Sequence, residues 1–179
     1  PFPSLSLPLA HPVMGLPVRW LDERRSYARL VASDPFLAAG IRGWLADGAP
    51  PDARREQLVA WLGNLRQVMG SESLAIVDTR ARVLLNSGPV ALDEQSYRRI
   101  EAAMASGDVV VSDLYRIDGA ESGPSIALDV LFPIKSVNLA EDLADKLLLI
   151  RINAAQYLFP LMRGWPTPSL TGETLLVRR

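Results

Sequence analysis

The amino-acid sequence predicts an α+β protein, with an antiparallel sheet of about five strands flanked by helices and preceded by a long amphipathic helical segment. Two observations support this fold class. Up to Gly70, apolar residues recur every three or four positions, the period of a helix, and after Gly70 they form short β-prone runs. Short polar turns join most of these runs, which is typical of hairpins in an antiparallel sheet.

The N-terminal arm, residues 1–17, is expected to be irregular. Prolines stand at positions 1, 3, 8, 12 and 17, and each ring removes an N–H donor and disfavours helix before it. The same prolines interrupt every apolar run, whereas a membrane span needs about 20 residues of unbroken apolar helix. The arm is assigned no function.

Residues 18–70 are predicted to form consecutive helices. The first carries an amphipathic stripe that begins at Trp20. Asp34 stands before a proline suited to the first turn of a second helix, and Asp52 restarts the helical pattern as an N-cap after two further prolines. Gly70 is a stop signal for the last of these helices.

Residues 71–163 are predicted to form the sheet. The runs 74–78 and 82–86 are close enough to form a hairpin. A helix is expected between Asp93, as its cap, and Gly107, as its stop. Three more strands and a last short helix follow, and they are expected at 109–117, 125–134, 146–152 and 153–164.

Composition narrows the class of protein. The 179 residues suit one medium domain, and 19 basic residues nearly balance 20 acidic ones, so no strong field would hold a nucleic acid or an anionic membrane surface. There is no cysteine and only one histidine, His11. Disulfides, thiolate nucleophiles and zinc sites built on Cys or His pairs are therefore excluded, and no cofactor is expected.

Two stretches of the chain carry a family resemblance. The first is the run 76–78 followed by 83–87, and the second is the tail, 157–169 and then 172–179. The first resembles the opening hairpin of Cache (PDC) domains, the PAS-like sensor modules found outside the membrane in bacterial receptors, although Arg80-Ala81 replaces the usual turn glycine. The tail resembles the junction between the two modules of double-Cache sensors attached to histidine kinases and diguanylate cyclases.

The resemblance implies a function as well as a fold. It makes 71–163 a PAS-like sensor module, the membrane-distal one, and 164–179 a linker with the first strand of a second module. It implies a periplasmic domain of a membrane-anchored receptor that binds a small molecule, such as an amino acid, an amine or an organic acid. Kinase or cyclase chemistry would lie in a separate output domain.

Two structural expectations accompany this interpretation. The helical segment at 18–47 is expected to pack against its twin in a homodimer and to carry a small displacement toward the membrane. The run 173–179 is β-prone, and a strand without partners is not stable in water. It is therefore expected to pair poorly within this chain.

Asp129 is the first candidate site residue, because it interrupts an apolar run, 126–132. An ionised carboxylate there needs a partner, since burying it alone is costly. Arg151 on the next strand could be that partner, in an ion pair across the sheet. Asp129 could instead anchor a ligand, for example an amine, because the resemblance implies a pocket between this face of the sheet and the preceding helix and loops.

Other candidates could share a pocket with Asp129. Asp113 and Tyr115 have the same parity on their predicted strand, so their side chains would point to one face. Tyr97 shares the predicted inner face of its helix with Ile100 and Met104, a spacing that is also typical of helix-to-sheet core. The candidate ligand-binding set is Tyr97, Asp113, Tyr115, Asp129 and Arg151.

Two other functions stay open at the level of the sequence. A structural or dimerisation domain would fill the same pocket with its own side chains. An enzyme could use Asp113 and Asp129 as facing carboxylates whose pKa values are driven apart, although no spacing requires it. The acidic cluster of Glu141, Asp142 and Asp145 lacks the ligand spacing and the glycine of a calcium loop, so no metal site is expected.

Overall fold

A six-stranded antiparallel sheet with helices on both faces organises the protein. The structure, a computed structural model, describes residues 15–117, 125–134 and 143–163. The α+β class and the antiparallel sheet that the sequence predicts are confirmed. Predictions for residues 1–14, for the turn after 117 and for the tail after 163 lie outside the described residues.

Three helices precede the sheet: α1 (Gly15–Ala32), α2 (Pro35–Ala46) and α3 (Ala53–Met69). The two predicted caps are present. Asp34 accepts a hydrogen bond from the Phe36 N–H at 2.8 Å, and Asp52 accepts one from the Arg55 N–H at 3.1 Å. Each carboxylate satisfies a backbone donor that has no partner inside the helix, which is why these helices begin there.

Helix α1 begins at Gly15, before the predicted start at Val18, so the irregular arm does not extend to residue 17. The position of Pro17 explains the difference. It falls in the first turn of α1, where a backbone N–H would have no helical partner, so the missing donor costs nothing there.

The sheet has the strand order β2-β1-β6-β5-β3, and β4 also pairs with β5. Helix α4 separates β2 from β3, and α5 follows β6. These elements are β1 (Ser73–Asp78), β2 (Val83–Ser87), α4 (Glu94–Ser106), β3 (Val110–Val111), β4 (Tyr115–Ile117), β5 (Ser125–Pro133), β6 (Lys146–Asn153) and α5 (Ala154–Arg163).

The β1–β2 hairpin turns without a glycine. Ala81 takes a left-handed φ of 56°, and Asp78 stabilises the turn by accepting from the N–H groups of Arg80 at 3.0 Å and Arg82 at 2.9 Å. The Arg82 side chain also pairs with the second Asp78 oxygen at 2.6 Å. Hydrogen bonds between the Asp78 side chain and the backbone therefore stabilise a turn that in other hairpins often contains a glycine.

The predicted strand 109–117 is in fact two short strands, β3 and β4. Val111 lies opposite Val130 and Tyr115 lies opposite Ala127, so three residues of this edge face two of β5. The extra residue makes the edge bulge outward between the two strands. Bulges of this kind redirect side chains, and this one lies directly beside Asp129.

The two faces of the sheet have separate cores. One face packs against α1, α2, α3 and α5, and its buried residues include Leu74, Ile76 and Ile150. The other face packs against α4, whose Ile100 and Ala103 contact Leu131 and neighbouring strand residues. Among the described helices, α4 alone packs on this second face.

No helix within residues 15–117, 125–134 and 143–163 has the length and apolar content to cross a membrane.

Candidate functional site

The site is built around Asp129, in the middle of β5. Its side chain has the parity of Leu131 and therefore points to the face that α4 covers. Only 1% of the residue is exposed. A buried carboxylate needs compensation, and two arginines and a tyrosine supply it.

Arg151 is the cross-strand partner of Asp129. The two residues lie directly opposite each other on β6 and β5, and the guanidinium donates from Nε to Oδ1 at 2.9 Å and from Nη2 to Oδ2 at 3.1 Å. A third bond, from Nη1 to the Ala91 carbonyl at 3.1 Å, ties the pair to the segment before α4. The ion pair expected between these residues is thus present.

Burial alone would lower the pKa of Arg151. The hydrogen bond and the charge of Asp129 outweigh that effect and raise the pKa above its ordinary value. The guanidinium is therefore charged at physiological pH.

Arg99, on α4, is a second cation on the same carboxylate. Its Nη1 donates to Asp129 Oδ2 at 2.9 Å, and its guanidinium lies over the ring of Tyr115, 4.1 Å from the centroid. The side chain is 14% exposed, so both contacts are largely shielded from water and stronger than they would be on the surface. Arg99 thereby fixes α4 to β5 and β4.

Tyr115 completes the cluster. Its hydroxyl donates to Asp129 Oδ2 at 2.6 Å. Burial, and then the charge of Asp129 and this hydrogen bond, raise the pKa of Tyr115 well above its ordinary value. The phenol is therefore a neutral hydrogen-bond donor at physiological pH.

Ser112 holds the bulge against Asp129. Its backbone N–H donates to the Asp129 carbonyl at 2.8 Å, and its hydroxyl accepts from the Asp129 N–H at 2.9 Å. The side chain thus replaces a backbone partner that the bulge removes from the ladder. Asp113 is exposed, Leu114 packs against the core of the opposite face, and Tyr115 returns to the face that holds Asp129.

An open cleft of about 420 Å³ lies between α4 and residues 110–115, within the usual range for small-molecule sites. From α4 it is lined by Gln95, Arg98, Arg99 and Ala102. The aromatic ring of Tyr115 and the bulge form the opposite wall. A cleft with aliphatic, aromatic and charged walls is suited to a small polar organic molecule.

The candidate residues do not all meet at this cleft. Asp113 and Tyr115 line it, and Asp129 and Arg151 lie behind Arg99 and Tyr115. Tyr97 points elsewhere: it is 41% exposed and hydrogen-bonds to Glu101, which raises the pKa of its phenol.

The predicted inner face of α4 was therefore wrong at Tyr97. The buried residues of the helix are Ser96, Ile100 and Ala103. Ser96 is turned inward, where it forms a capping box with Asp93.

Arg98 and Arg99 are the site residues that the sequence analysis missed. Arginine is common throughout the chain, so neither stood out. The available signal was the helical period, because 95, 98, 99 and 102 share one face of α4.

The facing pair of catalytic carboxylates is not supported. Asp129 is enclosed by Arg99, Arg151 and Tyr115, while Asp113 is exposed on the bulge. Within the described residues, no three His, Asp or Glu side chains are grouped closely enough to hold a metal ion.

Comparison with known proteins finds no matching family model and no matching curated protein. Solved structures do share the fold. The sensor domain of the V. cholerae histidine kinase DctB superposes with a TM-score of 0.56 at 14% identity, over 87% of this chain and 55% of that chain.

Two further structures give the same result. The sensory domain of the Campylobacter jejuni chemoreceptor Tlp3, with isoleucine bound, has a TM-score of 0.59 at 13% identity, over 86% of this chain and 61% of that chain. A domain of a sensory box/GGDEF family protein from Vibrio parahaemolyticus has a TM-score of 0.56 at 15% identity, over 86% of this chain and 62% of that chain. This chain thus spans less than two thirds of each.

The fold is therefore that of the sensor domains of bacterial histidine kinases, GGDEF proteins and chemoreceptors, and the expected Cache-type fold is confirmed.

Proposed function

We propose that this chain is the ligand-sensing module of a bacterial transmembrane receptor and lies outside the cytoplasm, in the periplasm. The single observation that carries the proposal is the cleft between α4 and the 110–115 edge, with Arg99 and Tyr115 in its wall. Domains of this fold in DctB and Tlp3 are sensors, which supports the same role here. The ligand is a small polar organic molecule.

The signal leaves the cleft through α4 and α1. Arg29 on α1 donates from Nε and Nη2 to the two Asp108 oxygens, both at 3.0 Å. Asp108 stands between the end of α4 and β3, so it moves with either wall of the cleft. A ligand that shifts α4 would thus pull on α1, which also packs on β5 and β6.

Helix α1 is proposed to pair with α1 of a second copy. Tyr27 and Leu30 are one turn apart and leave 50% and 70% of their surfaces exposed. They form an apolar strip on the exposed side of α1, which is otherwise polar or charged. Leu30→Asp should convert a dimer into a monomer in light scattering. The charge-conserving control Glu23→Asp should not, and a wild type that is monomeric at every concentration contradicts the pairing.

The sensing role is tested by thermal unfolding in the presence of amino acids, organic acids and amines. Ligand binding to the folded state raises the midpoint by mass action. Ala102→Trp fills the cleft, whereas Ala105→Trp adds the same ring to an exposed position of α4 outside it. A compound that stabilises the wild type and Ala105→Trp but not Ala102→Trp supports the proposal.

The opposite result has a clear meaning. If no compound shifts the midpoint, or if Ala102→Trp responds as well as Ala105→Trp, the cleft is not a sensing site. The chain would then be a structural or dimerisation module whose buried charges serve only its own stability.

A further inference from the structure

We infer that the ligand is held by a carboxylate group, bound by Arg98 and Arg99, and that an ammonium group is not required. This inference rests on the proposed function and specifies the ligand chemistry of the same cleft. It differs from the sequence-based hypothesis in which Asp129 anchors an amine.

Asp129 is a poor anchor for an amine because its charge is already compensated. Four hydrogen bonds reach its carboxylate, from Arg151 (two), Arg99 and Tyr115. The residue is 1% exposed and stands behind the side chains that line the cleft. An incoming ammonium would have to displace a buried guanidinium, which leaves a buried cation unpaired.

Arg99 is well placed to bind an anion. A guanidinium carries five N–H donors in a planar fork. In Arg99, Asp129 accepts one hydrogen bond from Nη1, and Nη2 lies 3.9 Å from the exposed carboxylate of Asp93, a distance too long for a hydrogen bond. The Tyr115 ring and the Asp129 contact hold the group in one orientation at the cleft wall. A pre-oriented fork of this kind matches the two oxygens of a carboxylate.

Arg98 adds a second cation to the same wall. Arg98 forms an ion pair with Glu94 at 3.0 Å, and the two side chains are 74% and 83% exposed. Exposed pairs at this spacing are weak, so a ligand carboxylate can replace Glu94 with little loss. Two adjacent arginines on one helix face then form a clamp for one anionic group.

Asp113 is the acidic residue of the cleft lining. It is exposed, so its attraction for an ammonium group is screened by water. The cleft can therefore bind a ligand that carries an ammonium group at its other end, but binding does not require that group. Organic acids and amino acids thus share the chemistry that the site recognises.

Three four-carbon compounds with different ends separate these possibilities: succinate with two carboxylates, GABA with one carboxylate and one ammonium, and putrescine with two ammonium groups. At equal concentration and ionic strength, succinate and GABA should raise the unfolding midpoint of the chain and give measurable titration heats. Putrescine should do neither.

The arginine clamp is tested with a matched pair of variants. Arg98→Gln removes the cation and should weaken succinate and GABA binding by about tenfold, the value of a charge-assisted hydrogen bond. Glu94→Gln breaks the same surface pair but keeps Arg98, and it should bind as well as the wild type. Arg99→Lys keeps a positive charge beside Asp129, so the variant should stay folded. It should bind succinate and GABA more weakly, because lysine lacks the planar fork of N–H donors.

Two results would overturn the inference and leave the sensing role intact: stabilisation by putrescine but not by succinate or GABA, or equal affinities in Arg98→Gln and Glu94→Gln. If none of the three compounds binds, and no member of the wider set of amino acids, organic acids and amines shifts the unfolding midpoint, both the inference and the sensing role are wrong.

Discussion

Asp129 and Arg151 face each other on adjacent central strands, and the guanidinium donates one hydrogen bond to each carboxylate oxygen, at 2.9 and 3.1 Å. The pair is almost completely buried, with side-chain exposures of 1% and 3%. It therefore serves the stability of the domain before any ligand binds.

Asp129→Ala should lower the free energy of unfolding of the ligand-free domain by about 3–5 kcal/mol, because it leaves Arg151 and Arg99 buried without their counter-charge. Urea unfolding at neutral pH measures this loss. Asp113→Ala, at an exposed position of the neighbouring edge, should change it by no more than about 0.5 kcal/mol. Equal effects of the two substitutions would contradict the central role of Asp129.

Tyr115→Phe should cost about 1 kcal/mol, since it removes the hydrogen bond to Asp129 but keeps the ring under Arg99. The raised pKa of Tyr115 adds an alkaline signature. Above the ordinary phenol pKa of about 10, the unfolded chain ionises first, so the wild type loses stability as pH rises. Tyr115→Phe should lack this part of the loss, whereas Tyr27→Phe should keep it. Unfolding curves between about pH 9 and about pH 11, roughly one unit on either side of the ordinary phenol pKa, give the comparison.

Asp78→Asn should destabilise the domain by about 1 kcal/mol at neutral pH, because a neutral amide weakens both the pair with Arg82 and the charge-assisted hydrogen bonds from the turn backbone. Burial alone would raise the pKa of Asp78, but hydrogen bonds from Arg82 and Arg80 lower it overall. The carboxylate therefore contributes stability above the ordinary Asp pKa, and this contribution is lost as pH falls through the lowered value. The gap between wild type and variant should close in acid.

Arg82→Gln provides the control for the turn. It removes the side-chain pair but keeps the backbone bonds to Asp78, so it should cost less than Asp78→Asn. A larger loss in Arg82→Gln would show that the side-chain pair, rather than the backbone bonds, stabilises the hairpin.

Gly88→Ala should be more destabilising than Gly107→Ala. Both glycines have positive φ, 87° and 62°, so alanine is strained at each by about 1 kcal/mol. At Gly88 a Cβ would also lie 2.5 Å from the Glu72 carbonyl oxygen, whereas at Gly107 it meets nothing within 4 Å. Thermal midpoints of the two variants measure the extra steric cost, and equal midpoints would mean that the backbone beside Glu72 can move.

Much of the helical part of the fold is predictable because its signals are local. Asp34, Asp52 and Asp93 cap three helices where the sequence indicates, and Gly70 and Gly107 follow the ends of α3 and α4. A cap acts on N–H groups two or three residues away, so no distant contact is needed to recognise it.

The hairpin and the central strands are predictable for a similar reason. β1 and β2 lie within a residue of their expected positions, and Asn153 caps α5 by accepting from the N–H groups of Ala155 and Gln156. The pairing of Asp129 with Arg151 could also be expected, since a carboxylate in an apolar strand needs a cation and the next strand carries one.

The interior of the candidate site could not be predicted in the same way. A one-residue bulge divides an apparently continuous strand into β3 and β4, and the hydrogen bonds of Ser112 to Asp129 show how that bulge is accommodated. Nothing in the local sequence of 109–117 marks the position of the extra residue. The choice depends on how the edge packs against β5 and α4.

Apolar period, caps and turn residues thus specify an α+β domain with its sheet after Gly70, because these interactions act within a few residues along the chain. The cluster of Arg99, Tyr115, Asp129 and Arg151 draws on four separate elements. Which arginine reaches the carboxylate, and which face of α4 borders the cleft, follow from the rotation of a helix and the register of an edge strand. Those are set by packing across the whole domain.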